Sequence, residues 1–278
     1  MIGIFLILIF FLIFYISRNR EKFVSLPATL PSTITKTALY TIPLTNRPSH
    51  ITLFGGGGGG AATNLATGNI YPGGGGGQGY AALGSIPINA RYLNVVIGKG
   101  GTSDINGGTT IVQTLDENKN VIQTLFALGG YAGSQGYIST WDVPTPGDGG
   151  NGFCGGGGGG AGNFPVHQRT KQSTGGSGVL PQYNGADGSL YEGPQNLPVG
   201  GQGGCGGGNG GPAWFNLGGG GGGGGKGGGN GGADGTEGNS GEDAIGLSAG
   251  GGGAAFGANI VATILAGGKG GDGYVLLT

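Results

Sequence analysis

Six consecutive glycines at residues 55–60 directly follow the strand-like stretch "ITLF". Further runs occupy residues 73–77, 155–160, 218–225 and 250–253, with shorter ones between. Such tracts have no side chains to pattern, so hydrophobic periodicity cannot organise them. Glycine gives up more backbone freedom than any other residue on ordering, and each fixed residue costs roughly 1–2 kcal/mol, so a tract does not fold alone. What it offers is close approach. Extended left-handed helices with three residues per turn make no internal hydrogen bonds, and their N–H and C=O groups point outward for partners. Side by side, without side chains between them, such helices bond to one another. The expectation is a slab of packed backbone closed by apolar strands.

The rival is a disordered tether. Glycine supplies 77 of 278 residues and proline 13, a level that commonly signals low complexity. Yet only 9% of residues are charged and 36% are hydrophobic, whereas unfolded segments pair low hydrophobicity with high charge. The formal net charge of -1 gives no field that would recruit nucleic acid. No strict glycine triplet runs through the tracts, which excludes a collagen triple helix.

Residues 1–17, "MIGIFLILIFFLIFYIS", carry no charged side chain. As a helix they span about 25 Å, the short end of what crosses a bilayer. Ile2, Phe5, Leu6, Ile9, Phe10, Phe11 and Phe14 read as a single membrane anchor. A cleaved signal peptide needs a basic leading region and small residues at the cut, which "YISR" does not provide; a buried core helix is the other alternative. Arg18, Arg20 and Lys22 follow the apolar run, so the positive-inside bias keeps the C-terminal side cytosolic. No asparagine stands in an N-x-S/T acceptor, which accords with that side.

Residues 18–49 read as a basic stub and linker, because Pro27, Pro31, Pro43 and Pro48 forbid a regular helix, with "ITKTALYTI" as one edge strand. Residues 50–278 form the main, glycine-rich β domain. Its strand candidates are "HITLF", "YLNVVIG", "TTIVQTL", "NVIQTLFAL", "ANIVATIL" and "GYVLLT", rich in Val, Ile, Thr and aromatics. The third and fourth predict a hairpin with a five-residue loop, residues 116–120.

The order "ITLFGGGGGG", "YLNVVIGKGG", "TTI", "LGG", further oligoglycine and a closing "GGKGGDGYVLLT" resembles the glycine-rich domain of phage tail fibres, viral virion proteins and some animal receptor ectodomains. The resemblance covers about residues 50–278. It implies a mainly β fold, with a β-sandwich-like scaffold carrying packed polyglycine II helices, used as a rigid scaffold or recognition surface. The chain departs from that pattern in the insertion of residues 163–201 and in the anchor. Anchor and basic stub also resemble small membrane proteins of large icosahedral DNA viruses with an internal membrane. Together these imply a non-enzymatic structural protein of the virion, a minor capsid protein that bridges the internal membrane and the capsid. Its partners are then the lipid bilayer, capsid or other virion proteins, and further copies of itself. The alternative is an outward-facing adhesin that uses the glycine-rich loops; the third reading is a disordered cell-wall-like protein.

Residue chemistry offers no catalytic, cofactor or metal site. With two histidines and two cysteines, a closed zinc site needs His50, His167, Cys154 and Cys205 all to converge. Cys154 and Cys205 begin similar glycine tracts. A disulfide between them closes a loop of about 50 residues, worth about 3–4 kcal/mol; two buried thiols are the other reading. The "GKGG" sites at Gly98, Gly225 and Gly268 do not continue as GK[ST], and their lysines read as surface caps. Ser134 has no GxSxG frame. Trp141, Tyr183, Tyr191, Trp214 and Phe215 stand near proline and glycine turns, where aromatics either anchor a partner or pin the loop.

Overall fold

The computed structural model describes residues 30–63, 73–138, 144–157, 172–188, 200–210, 223–225, 228–232, 240–254 and 265–278. Among these residues ten strands follow in chain order. They are β1 (Thr33–Ile34), β2 (Ala38–Thr41), β3 (His50–Phe54), β4 (Ala81–Ser85), β5 (Tyr92–Val96), β6 (Thr110–Leu115), β7 (Val121–Ala127), β8 (Tyr137–Ile138), β9 (Pro144–Thr145) and β10 (Tyr274–Leu277). One antiparallel sheet has the order β1-β10-β3-β4, the other β2-β5-β6-β7, and β8 pairs with β9.

Period-two alternation turns one face of each sheet inward. Ile51 and Leu53 of β3 are buried, as are Leu93 and Val95 of β5, Val112 of β6, and Val275 and Leu277 of β10. With Ile34, Tyr40, Ile42, Ile86, Ala90, Ile97 and Ala127 they make one apolar core shared by both sheets. Fully burying each large aliphatic contributes about 1.5–3 kcal/mol. The shared core is therefore the main hydrophobic source of stability among the described residues.

The hairpin at residues 116–120 forms with its five-residue loop. Asp116 Oδ1 accepts from the Asn120 N–H, and Lys119 takes the left-handed conformation (φ 63°). The ladder shifts register between Thr114 and Leu115, which absorbs one extra residue on β7.

Residues 30–49 are more than a linker. They supply a strand to each sheet: Thr33 and Ile34 pair with Leu276 and Val275, and residues 38–41 pair with residues 92–95. No proline lies between Ser32 and Ile42, so every ladder donor there is available, and Pro31 and Pro43 bracket the pair. β4 had no signal as a strand because "AALGS" is small and glycine-containing. It is held by its ladder with β3, and Gly84 leaves room for the Leu125 side chain, which a Cβ there would meet at 2.5 Å.

The anchor read at residues 1–17 lies outside the described residues, as does most of "ANIVATIL". Among the described residues no helix is long and apolar enough to cross a membrane.

Candidate functional site: a lattice of bare backbone

The strands do not end where the glycines begin. β3 continues into an extended rod, residues 55–63, and a second rod, residues 73–80, returns beside it into β4, with Gly55 N–H donating to the Tyr80 carbonyl. Residues 98–108 prolong the β5–β6 hairpin in the same way, through Gly108 N–H to the Lys99 carbonyl. Rods 128–134 and 265–273 run out of β7 and into β10.

Hydrogen bonds along rod 55–63 repeat every three residues. Gly55, Gly58 and Ala61 donate to Tyr80, Gly77 and Gly74; Gly56 and Gly59 to Gly108 and Ile105; Gly57, Gly60 and Thr63 to Gly271, Gly268 and Leu265. The carbonyls follow the same rule. Gly130 and Gly133 donate to Gly56 and Gly59, Gly101 and Asp104 to Gly57 and Gly60, and Gly251 and Ala254 to Gly58 and Ala61. Residue numbers run oppositely in the three accepting rods and in the same sense in the three donating ones. The rod is thus enclosed by six others, and the carbonyls of residues 56–61 and the N–H groups named above are satisfied without a β ladder.

Cβ positions explain why this needs glycine. A Cβ on Gly57 or Gly60 would lie 1.8 Å from the carbonyl oxygen of Ala249 or Gly252. On Gly58 it would lie 2.1 Å from the Tyr131 oxygen, and on Gly59 1.9 Å from that of Thr102. Among the described glycines only Gly206 has positive φ (68°). Close approach, rather than left-handed backbone, is the requirement in the rods, the same constraint that reserves the collagen axis for glycine.

At the margin of the described lattice, side-chain oxygens take the place of rod carbonyls as acceptors. Asp104 Oδ1 accepts from Ala62 N–H, Asn106 Oδ1 from Ala132, Asp148 Oδ1 from Thr174, Asn151 Oδ1 from Ser177, and Asn184 Oδ1 from Gly178. Sequence reasoning did not find these residues, because Asn and Asp among glycines read as turn formers. For Asp148 and Asn151 a spacing of three residues on one rod is a signal that could have found them. Lys99 extends over the surface to Asp272 (2.8 Å), whose other oxygen accepts from Gly100 N–H. Burial pushes the Asp272 carboxyl up, but the hydrogen bonds from Lys99 and Gly100 and the charges of Lys99 and Lys269 outweigh it and hold the carboxyl below its ordinary value.

A disulfide joins Cys154 and Cys205 with a Cα–Cα distance of 5.9 Å. Cys154 is buried in the rod that accepts from Gln78 N–H, and Cys205 sits at a tight reversal with φ 58°. The bond takes both sulfurs out of any four-ligand zinc set. Among the described residues no three His, Cys, Asp or Glu side chains gather as a metal site.

Of the aromatic candidates, Tyr183 ends the 3-10 turn Pro181–Tyr183, half-buried, with its ring on Phe153 at 5.7 Å. Trp141, Tyr191, Trp214 and Phe215 lie outside the described residues. The described parts of the insertion, residues 172–188 and 200–201, belong to the lattice: Gly176 donates to Gly156, Gly185 to Gly176, and Gly223 to Gly201.

The profile of a family described as "Glycine-rich domain" matches residues 32–278. No curated protein is similar to the chain.

Proposed function

The chain belongs to the glycine-rich domain family, and we propose that it is a non-enzymatic structural spacer, anchored in a membrane by residues 1–17 and bridging a virion's internal membrane to its capsid. In this reading the rods are polyglycine II helices, and the two sheets are the β-sandwich that starts them in register. One observation carries the proposal: the molecule is polar end to end. Leu277 N–H donates to Ser32, and Thr278 N–H to His50, so the chain enters at the end of the sheets opposite the rods. The far ends of the rods are level with one another, through Ala61 to Gly74, Gly73 to Ala254, Ser134 to Asp148, Gly157 to Gly223, and Gly241 to Ala266. The described ends that flank Trp141, Tyr191, Trp214 and Phe215 in sequence lie at this far end of the rods, opposite the end where Ser32 and Thr278 sit.

A second reading, the outward-facing adhesin, draws on the Cys154–Cys205 disulfide, since such bonds persist in oxidising compartments. Protease protection in sealed microsomes, with an epitope tag after Thr278, separates the two. Cleavage without detergent supports the bridge. Protection until detergent is added places the domain in the lumen and supports the adhesin.

A further inference from the structure

Two loops cross the end of the sheets remote from the rods. Residues 42–49 pass from β2 to β3, and residues 86–91 return from β4 to β5. Both are tied down: Ile42 N–H donates to Arg91, Ile86 N–H to Ser49, and Ala90 N–H to Pro87. Arg47 links the loops to each other, its guanidinium donating to the Ala90 carbonyl (2.8 Å) and to that of Pro87.

This braced base presents two exposed apolar side chains to solvent. Leu44 is 78% exposed and Ile88 87% exposed, one on each loop. Beside them stand two guanidiniums close enough for Arg91 to disfavour the charge on Arg47, after burial of Arg47 itself. Among the described residues neither arginine makes an ion pair, and the one such pair is Lys99 with Asp272, beside the rods. Lys119, over the Tyr92 ring at 6.0 Å, adds a cation to the same end, and Asp116 and Glu117 of the same loop add two carboxylates. Apolar tips flanked by cations without carboxylate partners are the surface chemistry of a bilayer interface: the tips enter the acyl boundary and the guanidiniums meet phosphates.

Chain length brings a bilayer to this surface. Residues 18–29, twelve in number, separate the apolar run from Leu30, which packs against the core at the same end. Fully extended they reach about 40 Å, so the base never leaves the neighbourhood of the membrane.

We propose that the base of the two sheets docks on the bilayer, with Leu44 and Ile88 inserted at the interface and Arg47 and Arg91 on the phosphates of anionic lipids, so that the rods stand away from the membrane at a fixed attitude. This rests on the reading of residues 1–17 as an anchor. Docking costs no further translational entropy once the anchor is inserted, so a small contact suffices.

The test uses the full chain in vesicles of phosphatidylcholine, with and without phosphatidylserine, doped with a lipid carrying a nitroxide high on its acyl chain. Tryptophan is introduced as Ile88→Trp or, as a control on the rods, as Ile105→Trp. Insertion of the base by ~5–10 Å predicts about twofold quenching of the first, stronger with phosphatidylserine, and none beyond background for the second. The Arg91→Gln variant, which leaves the Arg47 brace in place, loses the phosphatidylserine increment. Equal quenching at both positions, with the chain retained on the vesicles after an alkaline wash, overturns the docking while the anchor stands. A chain that washes off overturns the anchor reading and the docking with it.

Discussion

Gly57 faces Ala249 across two adjacent rods with so little space that a Cβ on the glycine would lie 1.8 Å from the Ala249 carbonyl oxygen. Neither backbone can yield alone, because Gly57 also donates to Gly271 and accepts from Gly101. Gly57→Ala is expected to destabilise the domain by about 3 kcal/mol, lowering Tm by roughly 10 °C. Gly206 is the opposite case: its φ is +68°, and nothing lies within 4 Å of a Cβ placed on it. Gly206→Ala should cost about 1 kcal/mol, and Gly206→Asn less, since Asn tolerates that conformation. Thermal melts of the three variants check the ordering. Similar losses for all three would mean that glycine serves backbone conformation in the rods as well.

The Cys154–Cys205 bond spans 51 residues of sequence. Constraining a loop of that length contributes about 4 kcal/mol in the chain-entropy account. Cys205→Ser should therefore melt well below the oxidised protein and coincide with the wild type held in reductant. Non-reducing peptide mapping that finds two alkylatable thiols in the mature protein would remove this contribution.

Asp272 joins two jobs, ion pair and backbone cap. Asp272→Asn keeps an oxygen for Gly100 N–H and loses only an exposed ion pair, so its cost should stay below about 1 kcal/mol. Asp272→Ala strands the N–H as well and should cost about 1–3 kcal/mol. The sign with pH follows from the depressed carboxyl. Its contribution is full above the unfolded value, near pH 4, and is lost as pH falls through the lower folded value. Acid titration of stability should show this component in the wild type and not in Asp272→Asn.

Asn151 tests whether side-chain carbonyls stand in for rod carbonyls. Asn151→Asp retains the acceptor for Ser177 N–H and should be tolerated, whereas Asn151→Ala removes it and should cost about 1 kcal/mol. Faster amide exchange at Ser177 in the alanine variant alone would mark the local site; unchanged exchange would contradict the role.

Much of the two-sheet framework was legible in the sequence. Runs such as "YLNVVIG" and "GYVLLT" carry the aliphatic residues whose alternate members, Leu93 and Val95, Val275 and Leu277, are buried. β4 was not legible, because its place depends on ladder bonds with β3 and on the gap that Gly84 leaves for Leu125, neither of which its own residues announce. The three-residue rods follow from what bare backbone can do, but which tract meets which does not. Gly57 and Ala249 are 192 positions apart, a pairing that only the assembled lattice defines. The braced base was equally hidden, since Arg47 bonds to carbonyls 40 and 43 residues away.

Amide hydrogen exchange at residues 55–60 is the most direct test of the central claim that oligoglycine here is ordered backbone with its donors satisfied by neighbouring rods. The account predicts protection at Gly57, Gly58 and Gly60 comparable to that of Leu53 and Val95 in the sheets, released together in one cooperative unfolding step. Exchange at the rate of an open chain at these glycines, with the sheets still protected, would contradict it and leave the tracts as tethers between strands.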